Sequence, residues 1–181
     1  RLLSQVISFY GDLDSKNSIT EIKSKKIFKI NKKSYKSILN EKELNELVTI
    51  LDKKKVISVD TETSSLNPQE AELIGISLSY ADNGSFYIPL GHKKINSLKK
   101  DFVLKKLKSI LEDPSIKKVC QNTKYDYIIF KNHGVELNPI EDTMLLSYTL
   151  DAGNNRHNMD TLSEIHLGHK PISYKDLVGS G

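Results

Sequence analysis

The sequence predicts an α/β fold, a mixed sheet flanked by helices, on three observations. Strand signals crowd together at VISVD (56–60), ELIGISLSY (72–80) and SFYIPL (85–90), with the turn-forming ADNG between the last two. That succession reads as a three-strand meander closed by a hairpin turn. Apolar residues then return at helical spacing, at Val103, Leu104, Leu107, Ile110 and Leu111, the stripe of a helix that covers a sheet. Finally, the short strand IKKVC (116–120) runs straight into the helical TKYDYIIFKNH (123–133), the strand-then-helix alternation of parallel pairing.

Taken in order, residues 1–26 are polar and weakly patterned, and are expected to be a lead-in or linker from an upstream domain. The patterned domain runs over 27–181, from KIFKI onward. Asn40 followed three places later by Glu43 has the spacing of a capping box, and Leu44, Leu47, Val48 and Leu51 continue it as a helix that ends at the cationic DKKK. The three meander strands follow. After the loop GHKKINS comes the helix closed by EDPS, then the strand–helix pair, whose helix has Gly134 well placed as its C-cap. DTMLLSYTL and MDTLSEIHL give two further helices around the polar loop DAGNNRHN.

With 181 residues, 38% hydrophobic and 28% charged, the chain suits one globular core. No apolar run reaches the length that spans a bilayer, and the first residues lack the pattern of a secretory leader. Cys120 is the only cysteine, so no internal disulfide can form, and a buried thiol in a reducing cytoplasm is the expectation. The net charge of +4 carries little, because the Lys-rich runs read as solvated faces in a Lys-rich background. Of the 27 basic residues only Arg1 and Arg156 are Arg, which singles out Arg156, since a planar guanidinium grips phosphate as Lys does not.

Asp60 and Glu62 stand two apart at the end of an apolar strand, so both side chains leave on one face. Taken alone, D-x-E is a weak motif that also reads as solvated loop acids. Asn122 and Asp126, four apart at the start of a helix, strengthen it. If their strand lies beside VISVD, Asp126 faces Asp60. Each has a structural alternative, Asn122 as a helix N-cap and Asp126 as a surface acid. Clustered carboxylates repel one another and need cations to hold them. All-oxygen donors point to Mg²⁺ or Mn²⁺, and two such ions about 3.5–4 Å apart can activate water and stabilise a leaving oxygen in phosphodiester cleavage.

DTETSSL, QNTKYD, DTMLLSYTLD, RHNMDTLSE and HKPISYKDLVGSG together resemble the 3′ to 5′ proofreading exonuclease domain of bacterial DNA polymerase I, of the ribonuclease H-like DEDD superfamily, from about residue 55 onward. The resemblance implies a ribonuclease H-like sheet and hydrolysis of nucleotides from the 3′ end of single-stranded or frayed DNA, with two Mg²⁺ or Mn²⁺ ions in the complete domain. By the same resemblance, Asp60 bridges both metals, Glu62 binds the first and orients water, and Asp126 serves the second. Leu66 would wedge against terminal bases, Gln121 and Asn122 would contact the 3′ end, Arg156 would grip the backbone, and Thr61 and Thr63 would touch the terminal nucleotide. As residues alone, Leu66 reads equally as core and Arg156 as a solvated charge. The implied partners are DNA and a polymerase domain of the same polypeptide, in a cytoplasmic monomer.

The family's fourth carboxylate follows Tyr or His by four places in a C-terminal helix. Here Tyr148, His157, His166, His169 and Tyr174 lead to Ala152, Thr161, Lys170, Ser173 and Val178. The chain is therefore expected to lack its C-terminal helices and to be weakly active or inactive as it stands. HLGH spaces His166 and His169 poorly for zinc without cysteines, and Tyr125 and Tyr127 read as packing residues. Two rivals remain: an exonuclease that acts on RNA, and a non-catalytic domain that binds single strands or braces a polymerase.

Overall fold

The first helix shows how local chemistry sets an element. In the computed structural model, which describes residues 34–82, 84–92, 97–172, 176 and 179, Asn40 adopts an extended backbone and its side chain accepts from the Glu43 N–H at 3.0 Å. The Glu43 carboxylate reaches back to the Leu39 N–H at 2.9 Å, one residue before the position that a capping box would use. Helix α1 (Glu41–Leu51) then buries Leu44, Leu47 and Leu51. The lead-in expected at 1–26 and the KIFKI segment lie outside the described residues.

Six strands form one sheet: β1 (Lys36–Ser37), β2 (Val56–Thr63), β3 (Leu73–Ala81), β4 (Gly84–Pro89), β5 (Lys117–Cys120) and β6 (Ile140–Asp142), in the order β1-β4-β3-β2-β5-β6. The expected meander is present, with β2, β3 and β4 antiparallel in turn. Strand β5 lies parallel beside β2, the placement on which the pairing of Asp126 with Asp60 depended. Edge strands β1 and β6, each parallel to its neighbour, have no strand signal in the sequence, because two or three residues cannot display a period.

Strand β2 is not the fully buried strand that VISVD suggests. Ile57, Val59 and Thr61 are buried while Val56, Ser58 and Glu62 are exposed, so the strand alternates and its carboxylates sit on the open face. Burial on the other face comes from α1, α2 (Lys100–Leu111) and α3 (Thr123–Asn132), which bring Leu44, Leu107, Ile110 and Phe130 against Ile57, Ile76 and Ile88. Each such side chain contributes about 1.5–3 kcal/mol of burial.

Helix α3 ends in the C-cap expected at Gly134, whose φ is +73°. The Val135 N–H donates to the Phe130 carbonyl and the Gly134 N–H to that of Lys131, both at 3.0 Å, a Schellman arrangement that seats Val135 on Phe130. Within β5 the Lys118 side chain is wholly buried, and its ammonium donates to the carbonyls of Asp113, Ile116 and Asn138 at 2.7, 2.6 and 2.5 Å. Helices α4 (Thr143–Leu150) and α5 (Met159–Leu162), the latter continued by a π-helical turn (Ser163–Leu167), follow. Among the described residues no helix is long and apolar enough to cross a membrane.

Candidate active site

Strand β2 carries Asp60 and Glu62 on one face of the sheet, opposite Ser77 and Gly75 of β3. Asp126 comes from the first turn of α3, where the helix N-terminus favours an anion. It is 3% exposed, and one oxygen, Oδ1, accepts from the Thr61 N–H at 3.0 Å and the Thr61 hydroxyl at 2.6 Å. The two structural elements that supply the acids are thereby joined at Thr61, the residue next to Asp60.

Asp60 feels the charges of both other acids. Asp60 is pushed up to about 6, first by burial and then by the charges of Asp126 and Glu62. Burial also raises Asp126, opposed by the two bonds from Thr61. Carboxylates held up in this way gain most from a cation beside them. Among the described residues no three Asp, Glu, His or Cys side chains stand together as a preassembled metal cluster. Asp60, Glu62 and Asp126 fit a hard divalent ion by the chemistry of their donors, hard oxygens only, and by the electrostatic cost that an ion would relieve.

A cavity of about 710 Å³ opens beside Glu62, lined also by Thr61, Thr63, Leu66, Asn122 and Tyr125. Leu66 is 96% exposed, which removes its reading as core. Its loop is firmly held: the Ser65 carbonyl accepts from the Tyr125 hydroxyl at 2.5 Å and from the Thr63 hydroxyl at 3.2 Å, and the Glu72 N–H donates to Ser64 Oγ at 2.9 Å. Asn122 occupies the N-cap position of α3 with φ +60°, yet its side chain makes no capping bond. Asn122 therefore holds the N-cap position that was its structural alternative, but without a side-chain cap, and it also lines the cavity.

Other expected contacts are placed differently. Thr61 spends its N–H and hydroxyl on Asp126. Gln121 accepts from the Thr143 hydroxyl at 2.5 Å and donates to the His157 carbonyl at 2.7 Å, tying β5 to the loop after α4. Gln121 and Asp60 line a second cavity of about 220 Å³ over the polar face. Arg156 is exposed on that tied loop and lines neither cavity.

Two residues matter that the sequence reading left aside. Tyr125 is partly buried against the core, as expected of a packing residue, but its hydroxyl also pins the loop of Leu66. Asp142 accepts from the N–H groups of Asn122, Thr123, Met144 and Leu145 at 3.0, 2.8, 2.9 and 3.4 Å, so one carboxylate fixes the starts of both α3 and α4. Its signal was visible as an Asp just before the apolar MLL; only its second helix could not be seen.

Residues 35–181 match a family model described as 3′-5′ exonuclease. DNA polymerase I of Rhizobium leguminosarum is 45% identical over 146 residues, covering 70% of this chain and 14% of that protein. The chain spans less than a fifth of the length of the curated relatives that it matches. Among solved structures, the Aedes aegypti Nibbler EXO domain aligns with TM-score 0.67 at 13% identity, covering 83% of this chain and 76% of that one. Brucella melitensis NrnC with bound Mg²⁺ aligns at 0.60 and 18% identity, covering 81% and 67%. At these identities the structures show a shared fold.

Proposed function

Because the chain belongs to the 3′-5′ exonuclease family, we propose that it hydrolyses nucleotides from the 3′ end of single-stranded or frayed DNA, as the editing part of a DNA polymerase I. The observation that carries this is the tie from Thr61, next to Asp60, to Asp126, with Asp60 pushed up to about 6 by burial and by the charges of Asp126 and Glu62. Similarity to a DNA polymerase I at 45% identity supports DNA as the substrate, whereas an RNA substrate draws on fold similarity alone.

Asp60, Glu62 and Asp126 would hold two Mg²⁺ or Mn²⁺ ions. Bound there, such ions supply a nucleophilic water at neutral pH and stabilise the leaving 3′ oxygen. Thr61 favours the charged form of Asp126, against the effect of burial, and aims it by donating two hydrogen bonds to it. Leu66, on its pinned loop, meets the terminal bases, and the free Asn122 amide contacts the 3′ nucleotide. Thr63 shapes the same cavity, Gln121 positions the loop of Arg156, and Arg156 holds backbone phosphate. A frayed end suits this arrangement because a terminal base must leave its pair to reach the acids, which costs least at a mismatch.

Three carboxylates are fewer than the family pattern has. A fourth donor is proposed to come from polypeptide outside these 181 residues, and cleavage by the 181 residues alone is expected to be slow. The test incubates the full-length protein and this chain with 5′-labelled single-stranded DNA or RNA and Mg²⁺ or Mn²⁺. Shortening of DNA in preference to RNA, abolished by Asp60→Ala, is expected. DNA bound but left intact by the full-length protein would sink the assignment.

A further inference from the structure

Glu62 is exposed, and among the described residues no hydrogen bond to its carboxylate is found. A ligand left to swing in this way needs an outer partner to fix it. The register of the sheet shows where one lies. Tyr87 of β4 stands opposite Ser77 of β3, which stands opposite Asp60, while Gly75 of β3 stands opposite Glu62. All five share one face of the sheet. The Tyr87 ring leans along the strand from the Asp60 row to the Glu62 row, and it lies directly over Gly75. A Cβ on that glycine would fall 2.5 Å from Tyr87 Cζ and 2.6 Å from Cε2. Position 75 therefore tolerates no side chain while the phenol crosses there. The hydroxyl ends above Gly75, the residue that pairs with Glu62 on the neighbouring strand.

The same hydroxyl lies 2.6 Å from His92 Nε2, with the two rings edge to face at 5.8 Å between centroids. A carboxylate only accepts, and a phenol has one O–H to give. If His92 donates through Nε2–H, the Tyr87 O–H is free to point at Glu62. Burial pushes Tyr87 above its ordinary range and the charge of Glu62 pushes it the same way, consistent with the two groups being neighbours.

We propose that Tyr87 is a positioning residue for Glu62, oriented by His92, in a donor chain that runs from imidazole to phenol to carboxylate and sets Glu62 for metal binding. The proposal rests on the metal reading of Asp60 and Glu62 given above. Its test is Mn²⁺ titration of the 181-residue chain, with free Mn²⁺ read by electron paramagnetic resonance and the thermal midpoint of each variant measured alongside. Tyr87→Phe keeps the ring over Gly75 and removes only the hydroxyl. His92→Ala acts at a half-exposed site off the strand, and His92→Gln restores an N–H donor.

The expected result is Mn²⁺ affinity weakened about tenfold in Tyr87→Phe, the lower end of what an outer partner is worth. His92→Ala weakens it in the same direction, His92→Gln binds nearly as the parent does, and thermal midpoints stay unchanged. If Asp60→Ala loses Mn²⁺ while Tyr87→Phe and His92→Ala bind it as the parent does, the donor chain is refuted and the metal reading stands. A His92→Gln as weak as His92→Ala also refutes the chain. Binding unchanged in Asp60→Ala overturns the metal reading, and the donor chain with it.

Discussion

Asp60 is the residue on which the electrostatics of the site turn. An aspartate whose value rises from 3.8 to about 6 on folding binds its proton more tightly in the folded chain than in the unfolded one. The Asp60 contribution to the stability of the metal-free protein therefore falls as pH rises from about 4 to about 6, and stays at the lower level above that. Asp60→Asn should remove this dependence and stabilise the metal-free protein at pH 7, on the order of 1–2 kcal/mol after solvent screening. Urea unfolding midpoints of the two proteins at pH 4 and pH 7 provide the check, and a difference between them that does not move in favour of Asp60→Asn over that interval would contradict the account. Thr61→Val should leave one of two donors on a buried carboxylate and cost about 1.5–3 kcal/mol, read by the same midpoints. The sequence showed that Asp60 and Glu62 share a face, because a strand has period two. It could not show that Thr61 is committed to Asp126, since that bond joins residues 65 apart.

Elements whose chemistry is local were legible. The cap at Asn40, the stripe from Val103 to Leu111, the ADNG hairpin and the C-cap at Gly134 each follow from a few neighbouring residues, and each is found. Strands β1 and β6 were not foreseen, because short edge strands exist through their partners. Strand β6 matters to the site nonetheless: it ends at Asp142, whose carboxylate receives N–H groups from two helix starts. Asp142→Ala should cost about 1–2 kcal/mol, as two helix starts lose their shared capping acceptor. Hydrogen exchange should accelerate at Thr123 and Met144 together. Acceleration at Met144 alone would mean that Asp142 caps only α4.

At the scale of the molecule, the sheet divides labour between its faces. One face carries the core with α1, α2 and α3; the other carries Ser58, Asp60, Ser77 and Glu62, with Leu66 and Asn122 at its end. Motif spacing made the acids and their family legible, whereas the contacts of Gln121 and the exposure of Leu66 depend on loops whose course no local pattern fixes. The central claim is that Asp60, Glu62 and Asp126 act as one metal-dependent unit at a DNA 3′ end. Its most direct measurement follows 5′-labelled single-stranded DNA with Mg²⁺ and the full-length protein on a sequencing gel. A ladder that shortens one nucleotide at a time from the 3′ end, lost in Asp126→Asn and in the absence of divalent metal, is the predicted result. A ladder of the same rate from Asp126→Asn, or one undiminished by chelation of the metal, would contradict it.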